Sequence, residues 1–314
     1  MFKYTKKDVV DIATKNGFIV NNTEKVLRLC DILNYLSNST LSDYLALKGG
    51  TAINLFLLDL PRLSIDIDFD FAKAIAKEEM LSVRDIIKKS ITNYMLSEGY
   101  SINPKTKYTH SLDSFVFSYH TLSGSLDILK IEINYSNRAH VLDTVQDERT
   151  IKLGKTVRTN RLATEELVAS KLGALISRTT PRDVYDVHKI LKQNICDLNK
   201  VRKITIFYVM LSAELPFDFQ NAINICLQRI AFIDFHKVRE TLLSLLRKEE
   251  KLSIEEMKSN VSSAIDEMFQ LSENEKLFIE KFNNGEYVQE LLFDNMKVED
   301  LSLHPMIVWK LNNR

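Results

Sequence analysis

The stretch LKGGTAINLFLLDLPRLSIDIDFDF, residues 47–71, constrains this chain more than any other. A glycine pair, Gly49-Gly50, precedes a short apolar segment with helical spacing, after which aspartate alternates with apolar residues. Residues 45–47 are apolar and predict a short buried strand that stops at the glycines. Adjacent glycines let backbone N–H groups turn toward a ligand without interference from a Cβ. A helix opening at Thr51 points free N–H groups and the positive end of its dipole at that turn, which suits a phosphate. Asp59 and Pro61 mark its end. Taken alone, a glycine pair is also an ordinary strand-to-helix turn.

The second half of the stretch reads as a strand. Ile65, Ile67, Phe69 and Phe71 share one face, and Asp66, Asp68 and Asp70 share the other. Aspartate is a poor strand former, and three carboxylates on one face repel unless a cation neutralises them. A solvated acidic face is the alternative. Asp66 and Asp68 are oxygen ligands suited to magnesium, with manganese a second choice. Two such ions roughly 4 Å apart activate an attacking hydroxyl and stabilise departing pyrophosphate. A third ligand is expected from a neighbouring strand. Glu132 supplies it, at the centre of the polar face of LDILKIEINYS, residues 126–136. That segment follows a strand over 113–121, with Ser123-Gly124-Ser125 forming the link of a hairpin. A surface glutamate on an antiparallel strand is the other reading of Glu132.

With these residues in view, the chain resembles the AbiEii/AbiGii-type nucleotidyltransferases, toxins of abortive-infection, type IV toxin–antitoxin systems in the polymerase-β-like superfamily. KGGTAINLFLL followed by RLSIDIDFDF resembles the family's first motif. ASKLGALISRTTPRDVYDVHKIL, residues 169–191, resembles its later motifs, in which a lysine is followed by an arginine and an RDxxD helix. The matching positions are Lys171, Arg178, Arg182, Asp183 and Asp186. The resemblance implies transfer of a nucleoside monophosphate from a nucleoside triphosphate to an acceptor hydroxyl, with the 3′ end of a tRNA as a candidate acceptor and a cognate antitoxin as partner. It implies catalytic roles for Asp66, Asp68, Lys171 and Asp186. The nucleotide would be held by Gly49, Gly50, Thr51, Arg62, Lys171 and Arg178. Metal ligands would be Asp66, Asp68 and Glu132.

The second block also reads from its residues alone. Thr164 is placed to cap a helix with Glu165 and Glu166 in its first turn, where the dipole favours acids. Leu167, Leu172, Leu175 and Ile176 form its apolar stripe, and Lys171 and Arg178 share a face. Thr180-Pro181-Arg182-Asp183 restarts a helix with a cap, a proline at the first position and an acid at the third. Capping is therefore a sufficient reason for Asp183. Arg182 and Asp186, one helical turn apart, can form a simple helix ion pair.

Composition bounds the alternatives. The 314 residues, 45% hydrophobic and 27% charged, predict two globular domains. The 42 basic and 42 acidic residues cancel, which weighs against an extended nucleic-acid interface. Lys152, Lys155, Arg158 and Arg161 form a local basic segment able to attract RNA phosphates, or merely a solvated loop and helix start. Cys30, Cys196 and Cys226 lack disulfide or zinc spacing and read as core. No signal peptide opens the chain and no run of about 18 apolar residues occurs, which predicts a cytoplasmic protein with no membrane partner.

Helical spacing covers residues 5–37 and 78–97, and most of the chain after 160, including RKITIFYVMLSA. The expected fold is α+β: a polymerase-β-like nucleotidyltransferase core with a small mixed sheet over residues 1–155, then a C-terminal helical bundle over 156–314. Trp309, Phe207 and Tyr208 are expected to pack rather than to stack on bases. Two other functions fit the same motifs. One is nucleotide transfer to a small molecule such as an antibiotic; the other is a non-catalytic nucleotide-binding or interaction module.

Overall fold

The computed structural model describes residues 2–313, which divide into two compact units. The first runs to His140 and adds Thr144–Leu162 and Leu245–Glu249. The second holds Val141–Asp143, Ala163–Ser244 and the residues from Glu250 onward. The architecture is α+β, with strands and helices in the first unit and helices in the second. No helix among the described residues is long and apolar enough to cross a membrane.

In the first unit, α1 (Lys6–Asn16) and α2 (Val20–Ser37) divide the span read as helical. Gly17, in the left-handed region at φ 72°, ends α1, and its N–H returns to the carbonyls of Ala13 and Thr14. Strand β1 (Leu45–Lys48) leads into α3 (Gly49–Ala52), which widens into a π-helical turn over Ile53–Leu57. The helix thus begins two residues before Thr51. Next come β2 (Asp66–Phe71) and α4 (Lys77–Ser97), then the short strands β3 (Ser101–Ile102) and β4 (Lys107–Tyr108). A hairpin of β5 (Leu112–His120) and β6 (Leu126–Asn134) follows, as its spacing predicts.

One further hairpin, β7 (Val145–Thr150) and β8 (Thr156–Arg161), occupies the segment read as a basic loop and helix start. The single sheet runs β3-β5-β6-β2-β1-β8-β7, with β4 beside β5. It is mixed: β2 lies antiparallel to β1 and parallel to β6, and β8 runs parallel to β1.

The central strands explain the alternation in the sequence. Ile67, Phe69 and Phe71 of β2 and Leu129, Ile131 and Ile133 of β6 are all buried. Each such side chain contributes on the order of 1.5–3 kcal/mol when fully buried. With that face fixed in the core, the even-numbered positions of β2 and β6 must turn to the opposite face.

In the second unit, α5 (Thr164–Arg178) and α6 (Pro181–Gln193) carry the later motifs. Thr164 does not cap α5. It is the first helical residue, Ala163 precedes it, and no side chain caps the end. Glu166 lies in the first turn, as read from the sequence; it is buried and accepts the N–H groups of Val141 and Leu142 and the Tyr208 hydroxyl.

RKITIFYVMLSA lies in α7 (Leu198–Ser212). Helices α8 (Phe219–Ala231), α9 (Phe235–Thr241), α10 (Ile254–Met268), α11 (Glu273–Asn283), α12 (Gln289–Phe293) and α13 (Pro305–Asn312) complete the unit. Phe207 is buried against Tyr287, Phe293 and His304, as packing requires. Trp309, expected to pack, is instead 57% exposed on the short last helix. Cys30 and Cys226 are buried, whereas Cys196 is only half-buried, since it falls in the loop between α6 and α7.

Candidate active site

The turn after β1 needs both of its glycines. Gly49 adopts φ +71°, and a Cβ there would stand 2.5 Å from Oδ2 of Asp68. A Cβ on Gly50 would stand 2.9 Å from the Ser64 hydroxyl and 3.0 Å from Nη2 of Arg62. The turn is therefore walled by a carboxylate on one side and by a guanidinium and a hydroxyl on the other. Thr51 is buried, and its hydroxyl donates to the Asp66 carbonyl, so it ties the helix start to β2. Its oxygen serves the backbone here, where the sequence assigned it to a phosphate.

Sheet register decides which carboxylates meet. Asp68 is the partner of Lys48 across β1–β2 and of Glu132 across β2–β6. Residues paired across a sheet point to the same face, so Lys48, Asp68 and Glu132 form one row. Burial pushes the Asp68 carboxyl up to about 6; Asp66 and Glu132 add to the effect, and Lys48 and Lys130 oppose it. Asp70 behaves differently. Burial also opposes its ionisation, yet Lys48, 2.5 Å away, and His140, 3.6 Å away, hold its carboxyl below the usual range. Glu132 turns to Lys130 at 2.8 Å. Among the described residues, no three His, Cys, Asp or Glu side chains form a ready-made metal cluster. Asp66, Asp68 and Glu132 are thus adjacent in register without converging on one point.

A second group forms in the other unit. Lys171 of α5 is buried, and its ammonium lies 3.1 Å from Asp183 and 2.9 Å from Asp186, both on α6. Arg178 reaches Asp183 with Nε at 2.8 Å and Nη2 at 2.9 Å. The capping box between Thr180 and Asp183 is present, as the spacing predicts. Although burial opposes it, Arg178, Lys171 and the Thr180 hydroxyl hold the Asp183 carboxyl far below its usual range. Asp186 has Lys171 as an ion-pair partner, where the sequence suggested Arg182. His188, on the same helix, is buried, and burial lowers its basicity.

The predicted residues thus assemble as two groups. Gly49, Gly50, Thr51, Arg62, Asp66, Asp68 and Glu132 gather around the first turn. Lys171, Arg178 and Asp186 gather around Asp183. The basic segment is largely neutralised: Lys152 pairs with Asp59 at 2.8 Å, Lys155 with Asp31, and Arg161 with Asp147 at 2.7 Å.

Residues 31–283 match the family described as "Nucleotidyl transferase AbiEii toxin, Type IV TA system". The chain belongs to this AbiEii family. Membership makes it a nucleotidyltransferase of the toxin class, in a family of type IV toxin–antitoxin systems. Among solved structures, MenT4, nucleotidyltransferase toxin Rv2826c from Mycobacterium tuberculosis H37Rv, is similar in fold. The TM-score is 0.61 at 15% identity, covering 91% of this chain and 100% of that one. Comparison with curated proteins returns no match.

Sequence reasoning missed Lys48, Ser64 and the separate surroundings of Asp70 in this AbiEii chain. Two signals were present. Lys48 directly precedes the glycines, and Ser64 extends the alternate spacing of Asp66, Asp68 and Asp70. His140 has no local signal, because only folding brings it to Asp70.

Proposed function

We propose that this toxin transfers a nucleoside monophosphate from a nucleoside triphosphate to an acceptor hydroxyl, with release of pyrophosphate. The observation that carries the reading is the row Lys48–Asp68–Glu132 beside a glycine turn that closes on the Asp68 carboxylate. Asp68 holds a half-buried carboxyl short of positive charge, with Asp66 and Glu132 reinforcing the deficit. Hard oxygen donors in that condition fit a divalent cation, with magnesium first and manganese second. Asp66 and Asp68 would hold the ion, with Glu132 joining once it leaves Lys130. A bound ion there would neutralise phosphate charge and favour ionisation of the attacking hydroxyl.

The chain's own residues supply the rest. Gly49 and Gly50 present a turn without side chains beside the Asp68 carboxylate, and Arg62 offers a guanidinium to phosphate oxygens there. Lys171 and Arg178 are assigned to the triphosphate and Asp186 to orienting Lys171. We assign the 3′ end of a tRNA as the acceptor, because a nucleotide added there blocks aminoacylation and explains toxicity in one step.

The test is incubation of purified protein with each α-³²P-labelled nucleoside triphosphate, magnesium and total tRNA. Label on RNA from the wild type, and none from Asp68→Asn, is expected. An aminoglycoside in place of RNA checks for a small-molecule acceptor. Failure of the wild type to label any acceptor sinks the proposal.

A further inference from the structure

The segment Leu245–Glu249 lies far along the chain from the glycine turn, yet it belongs to the same compact unit. It crosses the loop of residues 59–63. The Leu63 N–H donates to the Leu245 carbonyl at 2.9 Å, and Arg62 and Leu246 form an isolated antiparallel bridge. Beyond them, the Lys248 N–H donates to the Gly17 carbonyl at 2.8 Å. The segment is thus a strap fastened to the unit at both ends.

Arg247 sits at its centre. Its Nη2 donates to the Leu60 carbonyl at 2.8 Å and lies 3.4 Å from the Asp59 carbonyl. Its guanidinium stands over the Phe18 ring, 5.4 Å from the centroid. The two carbonyls belong to residues in an unusual state. Asp59 and Leu60 have φ of 53° and 54°, the left-handed region that a leucine rarely adopts. Such a pair persists only where the surroundings hold it. Lys152 holds the Asp59 carboxylate from the other side at 2.8 Å.

This double turn delivers Arg62. Arg62 is buried, its Nη1 donates to the Leu63 carbonyl at 2.8 Å, and its Nη2 closes the space above Gly50. We propose that Arg247 is a positioning residue for nucleotide binding: the strap locks residues 59–63 so that Arg62 stands over the glycine turn. The inference rests on the transferase reading above and adds to it a residue outside both motif blocks. Arg247 acts through the loop alone.

The test uses the full chain and titrates N-methylanthraniloyl derivatives of the four ribonucleoside triphosphates against wild type, Arg247→Ala, Arg247→Lys, Arg62→Ala and the double variant. Arg247→Ala is expected to raise Kd and KM about tenfold with kcat within about threefold, a split that mere loss of folded protein does not produce. Arg247→Lys, which keeps one donor, should recover part of the loss. In the double variant, Arg247→Ala should add nothing to Arg62→Ala, since one acts through the other. Amide exchange at residues 58–63 should rise in Arg247→Ala. An unchanged Kd with only a lower melting midpoint overturns the inference, as does an additive double variant. A wild type that binds nucleotide without transferring it sinks the transferase reading alone, and Kd still decides Arg247. A wild type that binds none of the four overturns both.

Discussion

Asp68 and Asp70 leave the same strand on the same face and meet opposite surroundings. Lys48 and His140 hold the Asp70 carboxyl below its usual range, whereas Asp68 faces two further acids and has its carboxyl pushed up to about 6. The two asparagine variants should therefore diverge. Asp68→Asn removes a charge that the fold opposes, so stability should hold or rise while nucleotide transfer is lost. Asp70→Asn leaves the Lys48 ammonium without its carboxylate. Breaking a buried pair costs about 3–5 kcal/mol, and the partial exposure of Lys48 brings the expected loss nearer the lower end. Urea midpoints measured beside label transfer check both; equal midpoints for the two variants would contradict the assignment. The acidic face was legible because strand alternation needs only neighbours in sequence. The division of labour between two identical residues was not, because it depends on Lys48 and on His140, some seventy residues away.

Elements show the same division. Helix α6 was readable to its cap, since Thr180, Pro181 and Asp183 are local signals. The hairpin β7–β8 was not: β7 is an edge strand with most of its residues exposed, so its apolar alternation is weak. The ion-pair cluster joining α5 to α6 gives a pH prediction. Asp183 has its carboxyl held far below the usual value near 3.8. A depressed folded pKa contributes stability that is complete above the unfolded pKa and is lost as pH falls below it. The wild type should therefore lose stability between about pH 4 and pH 2, the range below the unfolded carboxyl pKa. Asp183→Asn still offers a capping oxygen but no charge, so it should be less stable at pH 6 and show a flatter decline into acid. Chemical denaturation at pH 6, 4 and 3 measures both slopes. Parallel slopes would mean that the Lys171 and Arg178 contacts carry no net charge energy.

At the scale of the molecule, the sequence suggests a division near 155, and the two compact units draw on interleaved stretches of chain. Strand β8 lies beside β1 in the first sheet, which carries that unit to Leu162, and Leu245–Glu249 returns to it. No local pattern announces such a return, since the strap is irregular backbone whose partners are carbonyls and N–H groups distant in sequence. A contiguous fragment ending at Leu162 consequently lacks part of its own unit. The left-handed pair Asp59 and Leu60 loses Arg247, and Leu63 loses its acceptor on Leu245. The central strands keep all their partners, because β1, β2, β5, β6 and β8 lie within the fragment. Amide exchange should therefore separate two regions. Residues 67–71 and 129–133 should stay protected in the fragment, and residues 58–63 should exchange at rates near those of an open loop. The same amides in the full chain should exchange far more slowly. Equal protection of residues 58–63 in both would show that the turn holds itself, and the strap would then be a passenger on the sheet rather than part of what shapes the site.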